Sequence, residues 1–147
     1  MKDKKRADIN WEQCYLRNWL NTSFLEDCFS KDMQKHLVSQ HGDTVTILSA
    51  AEVKSYWPES QKEKRCAKCT SKAFVEGALR FGAYVNGAFQ IKDQYSGLDG
   101  NTIYTLRNDR TSWSVDLCND SGMIVTNKVN IWATDCGIRP VICVEFR

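Results

Sequence analysis

Thr44-Val45-Thr46-Ile47-Leu48-Ser49-Ala50-Ala51-Glu52 contains a complete boundary between two kinds of secondary structure. The β-branched run from Thr44 to Ile47 suits a pleated strand, where branched side chains pack well against neighbours. Ser49 followed by Glu52 is a capping box. The serine hydroxyl accepts from the backbone N–H three residues on, and the glutamate reaches back to the serine N–H. The strand therefore ends and a helix begins at Ser49. The helix runs through Tyr56-Trp57 and stops at Pro58, whose ring and missing N–H cannot continue it.

Upstream, Gln40-His41-Gly42-Asp43 is turn chemistry. Before it, Ser30 caps a helix expected to reach about Val38 with Met33 and Leu37 inward. Earlier still, Trp11, Tyr15 and Trp19 stack at i, i+4 and i+8, with Cys14, Leu16 and Leu20 beside them. Gln13, Arg17 and Asn21 share the other face, Asn10 is placed to cap, and Asn21-Thr22-Ser23 should break the helix. Two tryptophans beside an arginine and asparagines also make a binding platform. The apolar arc instead assigns Trp11 and Trp19 to the interior, with Arg17 and Asn21 tying down neighbouring loops.

Downstream, Glu59 to Arg65 reads as a charged loop and Ser71 to Leu79 as a short helix. Tyr84-Val85-Asn86-Gly87-Ala88-Phe89 is a hairpin, because Asn-Gly supplies the positive φ values of a two-residue turn. Strands follow at Thr102 to Arg107, Trp113 to Cys118, Met123 to Lys128 and Gly137 to Phe146, with a turn at Asn119-Asp120-Ser121-Gly122. Paired in sequence order they form an antiparallel meander. Helices first and sheet afterwards define an α+β fold.

The chain has 147 residues, 42% of them hydrophobic and 26% charged, which fits one globular domain. That domain is expected over residues 10 to 147, behind a disordered basic tail at 1 to 9. The longest apolar runs resemble Val141-Ile142-Cys143-Val144 and are far too short to span a bilayer. Met1 to Arg6 is basic, but Ala7-Asp8-Ile9-Asn10 replaces the apolar core of a signal peptide, so a cytoplasmic protein is expected. A net charge of +2 provides no field for nucleic acid, and the basic clusters Lys2 to Arg6 and Lys62 to Lys68 read as solvated. The odd count of seven cysteines favours reduced thiols buried as small hydrophobes.

Five motifs in order resemble a bacterial family catalogued only as a domain of unknown function, number 6273. They are Trp11-x-x-Cys14-x-Leu16-Arg17-x-Trp19-Leu20-Asn21 with Phe24 and Phe29, then Thr44 to Val53, then Cys69 with Ala73-Phe74, then Tyr104-Thr105-Leu106-Arg107, and finally Gly137-Ile138-Arg139-Pro140-Val141. The last two are also similar to the C-type-lectin-like fold of sulfatase-modifying enzymes and retroelement-diversified binding proteins. The resemblance implies N-terminal helices packed on a C-terminal antiparallel sheet with long loops. Members carry a β-forming stretch upstream of the first helix that this chain lacks, which implies an uncovered sheet edge open to a partner strand. A phage or retroelement setting is part of the same implication. The family's serine after Leu-Arg is Asn108 here.

The residues present no catalytic constellation, metal site or cofactor motif. Cys66-Ala67-Lys68-Cys69 has zinc-knuckle spacing without a second pair, although His36 and His41 complete a set on paper. Cys136 and Cys143 invite comparison with the copper-binding pair of the sulfatase-modifying enzymes, but Cys143 lies inside an apolar strand and reads as inert. Asn119 to Gly122 has oxygen ligands for calcium, yet this is ordinary turn composition.

Two loops remain. Asn108-Asp109-Arg110-Thr111-Ser112-Trp113 and Val129-Asn130-Ile131-Trp132-Ala133-Thr134 combine aromatic anchors with small polar residues, as paratopes do. A ligand site is therefore expected at Asn108, Asp109, Arg110, Trp113, Asn130 and Trp132. Arg107 and Arg139 are read as structural, bridging carboxylates or carbonyls. The leading expectation is a non-catalytic domain that binds a small ligand or a protein. The alternatives are an enzyme using Cys66, Cys69, His36 and His41, or a structural subunit that completes its sheet with another chain.

Overall fold

A computed structural model describes residues 10–70, 83–85, 88–90, 101–108, 114–130 and 136–145. The basic tail, the helix expected at 71–79 and most of both candidate loops lie outside these residues. Among the described residues no helix is long and apolar enough to cross a membrane.

The N-terminal helix is segmented. A 3-10 turn at Trp11–Gln13 is capped by the Asn10 side chain, which accepts from the Gln13 N–H. Cys14 is extended, and only then does α1 begin, at Tyr15–Trp19. The break rotates Tyr15 out of line with Trp11, so Tyr15 is 80% exposed and not on the inner arc as its spacing implied. Asn21-Thr22-Ser23 does not stop the helix either; Leu20–Phe24 forms a π turn leading into α2 at Leu25–Cys28. Asn21 and Thr22 stay helical because their side chains donate back to the carbonyls of Arg17 (3.0 Å) and Asn18 (2.7 Å).

Ser30 caps as expected, accepting from the Met33 N–H, but α3 covers only Lys31–Gln34 and Met33 is half exposed. Leu37–Val38 leaves the helix to become strand β1, since pairing with the C-terminal strand β10 (Val141–Val144) outweighs local helix propensity. Next, His41 (φ 52°) and Gly42 (φ 84°) both adopt left-handed backbone, and Gln40 and Asp43 exchange backbone hydrogen bonds across them. This is the two-residue primed turn that positive φ permits. It leads into β2 at Val45–Thr46.

The Ser49 capping box forms, with Glu52 accepting from the Ser49 N–H at 2.7 Å, and α4 spans Ala50–Tyr56. Glu59–Arg65 is a kinked 3-10 segment, where a solvated loop had been expected. Strands β3 (Ala67–Lys68) and β6 (Asn101–Thr102) pair, as do β4 (Ala83–Val85) and β5 (Ala88–Gln90), whose register around Asn-Gly matches the hairpin reading. Strands β7 (Tyr104–Leu106), β8 (Ser114–Cys118) and β9 (Ile124–Asn130) form the expected antiparallel meander. β10 does not extend it. It lies between β1 and β2 in a separate three-stranded sheet.

Two cores result. Leu20, Val45 and Ile47 are buried beneath Trp11, Leu16, Trp19, Phe24, Leu25 and Phe29. Val53, Tyr104, Leu106 and Cys118 form the second, packed by Leu48, Ala50, Trp57, Ala67 and Ile124. The segment from Val45 to Val53 supplies side chains to both. Asn21 fixes its start, accepting from the N–H groups of Thr44 and Val45 and donating to the Val45 carbonyl.

The second core closes on a buried cation. Arg65, expected within a solvated basic cluster, is only 3% exposed. Its guanidinium donates to the carbonyls of Trp57 (2.8 Å) and Gly122 (3.3 Å) and pairs with Glu59 at 3.0 Å. Its own carbonyl accepts from the Tyr104 hydroxyl (2.7 Å) and from Arg139 (3.0 Å). Arg139 lies over the rings of Trp57 and Tyr104, at 5.0 and 5.6 Å from their centroids. Burial pushes the Tyr104 phenol well above its ordinary value, so it remains a donor.

Gly122 makes this closure possible. Its φ is +79°, and a Cβ there would lie 2.1 Å from the Lys62 carbonyl oxygen. Gly122→Ala should therefore cost at least ~2 kcal/mol, through left-handed strain and displacement of the Lys62 backbone. Urea denaturation measures this, and a loss below ~0.5 kcal/mol would sink the close approach.

Candidate functional site

The first core carries a cleft of about 500 Å³ lined by Asn10, Trp11, Glu12, Arg17, His41, Asp43 and Arg107. That volume lies within the range of small-molecule sites. The floor is built around Asp43, a carboxylate only 4% exposed. One of its oxygens accepts from the Trp11 indole N–H at 2.7 Å and the other from Arg17 Nε. A buried carboxylate needs such charge-assisted partners to offset its desolvation. The primed turn at His41-Gly42 presents Asp43 to Trp11 and Arg17, and Arg17 is steadied further by the Glu12 carbonyl (3.4 Å). His41 keeps left-handed backbone in this turn, a conformation in which histidine is commoner than most side chains.

Arg107 enters from the other core. Its backbone N–H donates to the Leu48 carbonyl (2.9 Å), which places it beside Ser49. Its guanidinium donates to Thr46 Oγ1, the Ile47 carbonyl (both 3.3 Å) and Glu52 (3.0 Å). Burial alone would raise the Glu52 carboxyl, but hydrogen bonds from Ser49 and the Arg107 guanidinium outweigh it and hold the pKa below the ordinary value. Two guanidiniums in fixed orientation, an imidazole, an exposed carboxylate and an indole therefore share one wall system. The arrangement is suited to holding a polar ligand, and among the described residues no hydroxyl or thiol nucleophile lines it.

The cysteines do not assemble into a centre here. All seven are free thiols. Cys66 donates to the Asp120 carbonyl at 3.3 Å, and burial together with the Asp120 charge pushes its pKa up. Burial also raises Cys118. Both changes favour the protonated, weakly nucleophilic form. Cys69 donates to the carbonyl of Thr70. Among the described residues no three His, Cys, Asp or Glu side chains gather as metal ligands, so the paper set of Cys66, Cys69, His36 and His41 is not brought together.

Of the residues proposed for ligand contact, Asn108 is half-buried and donates to the Ser114 carbonyl at 3.0 Å, pinning the base of the 109–113 loop. Asn130 ends β9 opposite Ser114. Asp109, Arg110, Trp113 and Trp132 lie outside the described residues. Trp11 and Arg17 line the cleft, half-buried Trp19 packs on the first core, and Arg139 serves the second. Sequence reasoning placed Trp11 in the interior and Arg17 on the polar face, tying down neighbouring loops, and did not foresee that the two side chains line one open cleft. Asp43 was read only as a turn residue, and His41 as a turn residue and a paper ligand beside His36, Cys66 and Cys69. The signal that could have linked Asp43 to Arg17 was an isolated acid beside a turn, opposite an arginine on a helix face.

Two measurements test this geometry. Asp43→Ala should cost ~3 kcal/mol, because it leaves the Trp11 and Arg17 donors without their acceptor. The Arg17→Ala/Asp43→Ala double variant should lose no more than about 1 kcal/mol beyond that; simple additivity of the single losses would rule out the coupling. For Glu52, the folded pKa lies below the unfolded one, so its contribution is present above the ordinary carboxylate range and disappears as pH falls through it. Glu52→Gln should accordingly be less stable than the parent at neutral pH and converge with it as the pH falls below the ordinary carboxylate range. A constant difference in urea midpoint across that range would contradict this.

The sequence profile of a family described as "Domain of unknown function (DUF6273)" matches residues 1–146. No curated protein and no solved structure matches the chain.

Proposed function

The chain belongs to the DUF6273 family, and from that premise we propose that it is a non-catalytic ligand-binding domain of C-type-lectin-like type. Helices packed against short antiparallel sheets, with long connections between strands, support the fold part of this reading. The observation that carries the function is the Trp11–Asp43–Arg17 floor. It orients a guanidinium and an indole towards an open cleft before any ligand arrives. Fixing polar groups in advance lowers the entropy cost of binding, which is how small sites gain affinity.

The loops at 108–113 and 129–136 belong to the same reading. Arg107 lines the cleft and Asn108 follows it directly, holding the base of the first loop through Ser114. Trp113 and Trp132 are the aromatic anchors expected from the composition of these loops. The protein acts in this account by holding a ligand or partner, without bond making.

The test follows the Trp11 indole N–H resonance in a nitrogen-edited NMR spectrum while small-metabolite mixtures are added. A saturable shift at Trp11 and its neighbours is expected. Trp113→Ala and Trp132→Ala should weaken that binding by about tenfold or more while the folded spectrum is retained. Loss of the fold in both variants would remove the two tryptophans from the site. Turnover of any added compound by the unmodified protein would overturn the non-catalytic assignment.

A further inference from the structure

Resting on the reading of the cleft as a binding site, we propose that its ligand is a zwitterion of amino-acid size, carrying a carboxylate and an ammonium close together. The reasoning turns on which charges in the cleft are already spent. Asp43 has both oxygens occupied, by Trp11 and Arg17. Glu52, behind Arg107, gives one oxygen to that guanidinium and the other to the Ser49 N–H. The charge of each is therefore already balanced by a guanidinium, and Asp43 is too deeply buried to meet a ligand directly.

Among the described residues of the cleft, Glu12 and Arg17 each keep a charged group that is not fully engaged. Among the described residues the Glu12 carboxylate accepts no hydrogen bond, its only contact being through its backbone carbonyl. Arg17 engages Nε with Asp43 and Nη1 with the Glu12 carbonyl, leaving Nη2 without an acceptor. The 3.4 Å contact between Arg17 Nη1 and the Glu12 carbonyl keeps the two residues side by side in the same cleft.

A ligand of a single sign would satisfy one of these groups and be repelled by the other. A neutral polyol would leave the charge on both without a counter-charge. A zwitterion places its carboxylate on the Nη2 end of the Arg17 guanidinium, through a charge-assisted hydrogen bond, and its ammonium on Glu12. The total charge of the site is unchanged, so no uncompensated charge is introduced. The Trp11 ring and His41 flank the remaining volume, where a side chain would lie. Glu12 is solvent-exposed, so each ionic contact is screened and a dissociation constant of ~0.1–10 mM is expected.

The experiment titrates the native chain with each free amino acid, with a dipeptide series, and with N-acetyl and amide derivatives of the best binder, following Trp11 Nε1–H and Arg17 Nε–H. Sodium acetate, methylammonium and glucose are run in parallel. Free amino acids should shift both resonances saturably, and blocking either end should weaken binding by about tenfold. Glu12→Gln alters an exposed side chain outside the folded cores, so it should keep the spectrum while losing about as much affinity as removing the ligand's ammonium. Tighter binding of dipeptides than of free amino acids would identify short peptides as the source of the zwitterion. Blocked derivatives that bind as well as the free amino acid, or shifts from acetate or glucose alone, would overturn the zwitterion while leaving the cleft as a binding site. No shift from any probe, including the metabolite mixtures, would overturn both.

Discussion

The pairing of Arg107 with Glu52 joins the two cores of this fold. Glu52 caps its own helix through Ser49 and neutralises a guanidinium that arrives from the meander. Arg107 spends its other donors on Thr46 and Ile47, which belong to the segment shared by the two cores. One ion pair thus fixes a helix start, the end of a strand and the junction between two hydrophobic clusters. Its desolvation is offset because the donors and acceptors have several partners each, the condition under which a partly buried charge pair does not destabilise. The same arginine also forms a wall of the cleft, so the joint between the cores and the candidate site share an atom group.

Elements governed by neighbours in sequence were legible without the structure. The Ser49 capping box, the Gln40–Asp43 turn, the Asn10 and Ser30 caps and the β4–β5 hairpin all depend on residues within about four positions, where side-chain chemistry dictates backbone geometry directly. What failed depended on distant partners. Leu37–Val38 reads as the end of a helix until β10 is available to pair with it. Tyr15 fits the helical arc unless the chain is known to break at Cys14. Arg65 looks like part of a solvated run of lysines, and only the carbonyls of Trp57 and Gly122 explain its burial. At the cleft, Trp11 and Arg17 were recognisable as important, whereas Asp43, the group that orients both, gave only a turn signal.

The position of the cleft also bears on how one segment can both pack a core and line a cleft. The Trp11–Asn21 stretch is interior through Leu16, Trp19 and Leu20, which pack on the first core. It faces solvent through Glu12 and part of Arg17. The segmentation into a 3-10 turn and α1 divides the two tasks unevenly: Trp11 serves both cleft and core, Glu12 only the cleft, and most residues after the Cys14 break only the core. A continuous helix would have forced Trp11 and Trp19 onto one face.

The insertion of β10 between β1 and β2 sets an order of assembly. These strands come from opposite ends of the sequence, and β1 and β2 have no direct ladder to each other. Their sheet therefore cannot close until Val141–Val144 has left the ribosome, whatever the helices and the meander have already formed. During synthesis Val45 and Ile47 wait with one flank of their core open, a state vulnerable to aggregation and suited to chaperone capture. Closure of this sheet would thus be governed by the arrival of β10.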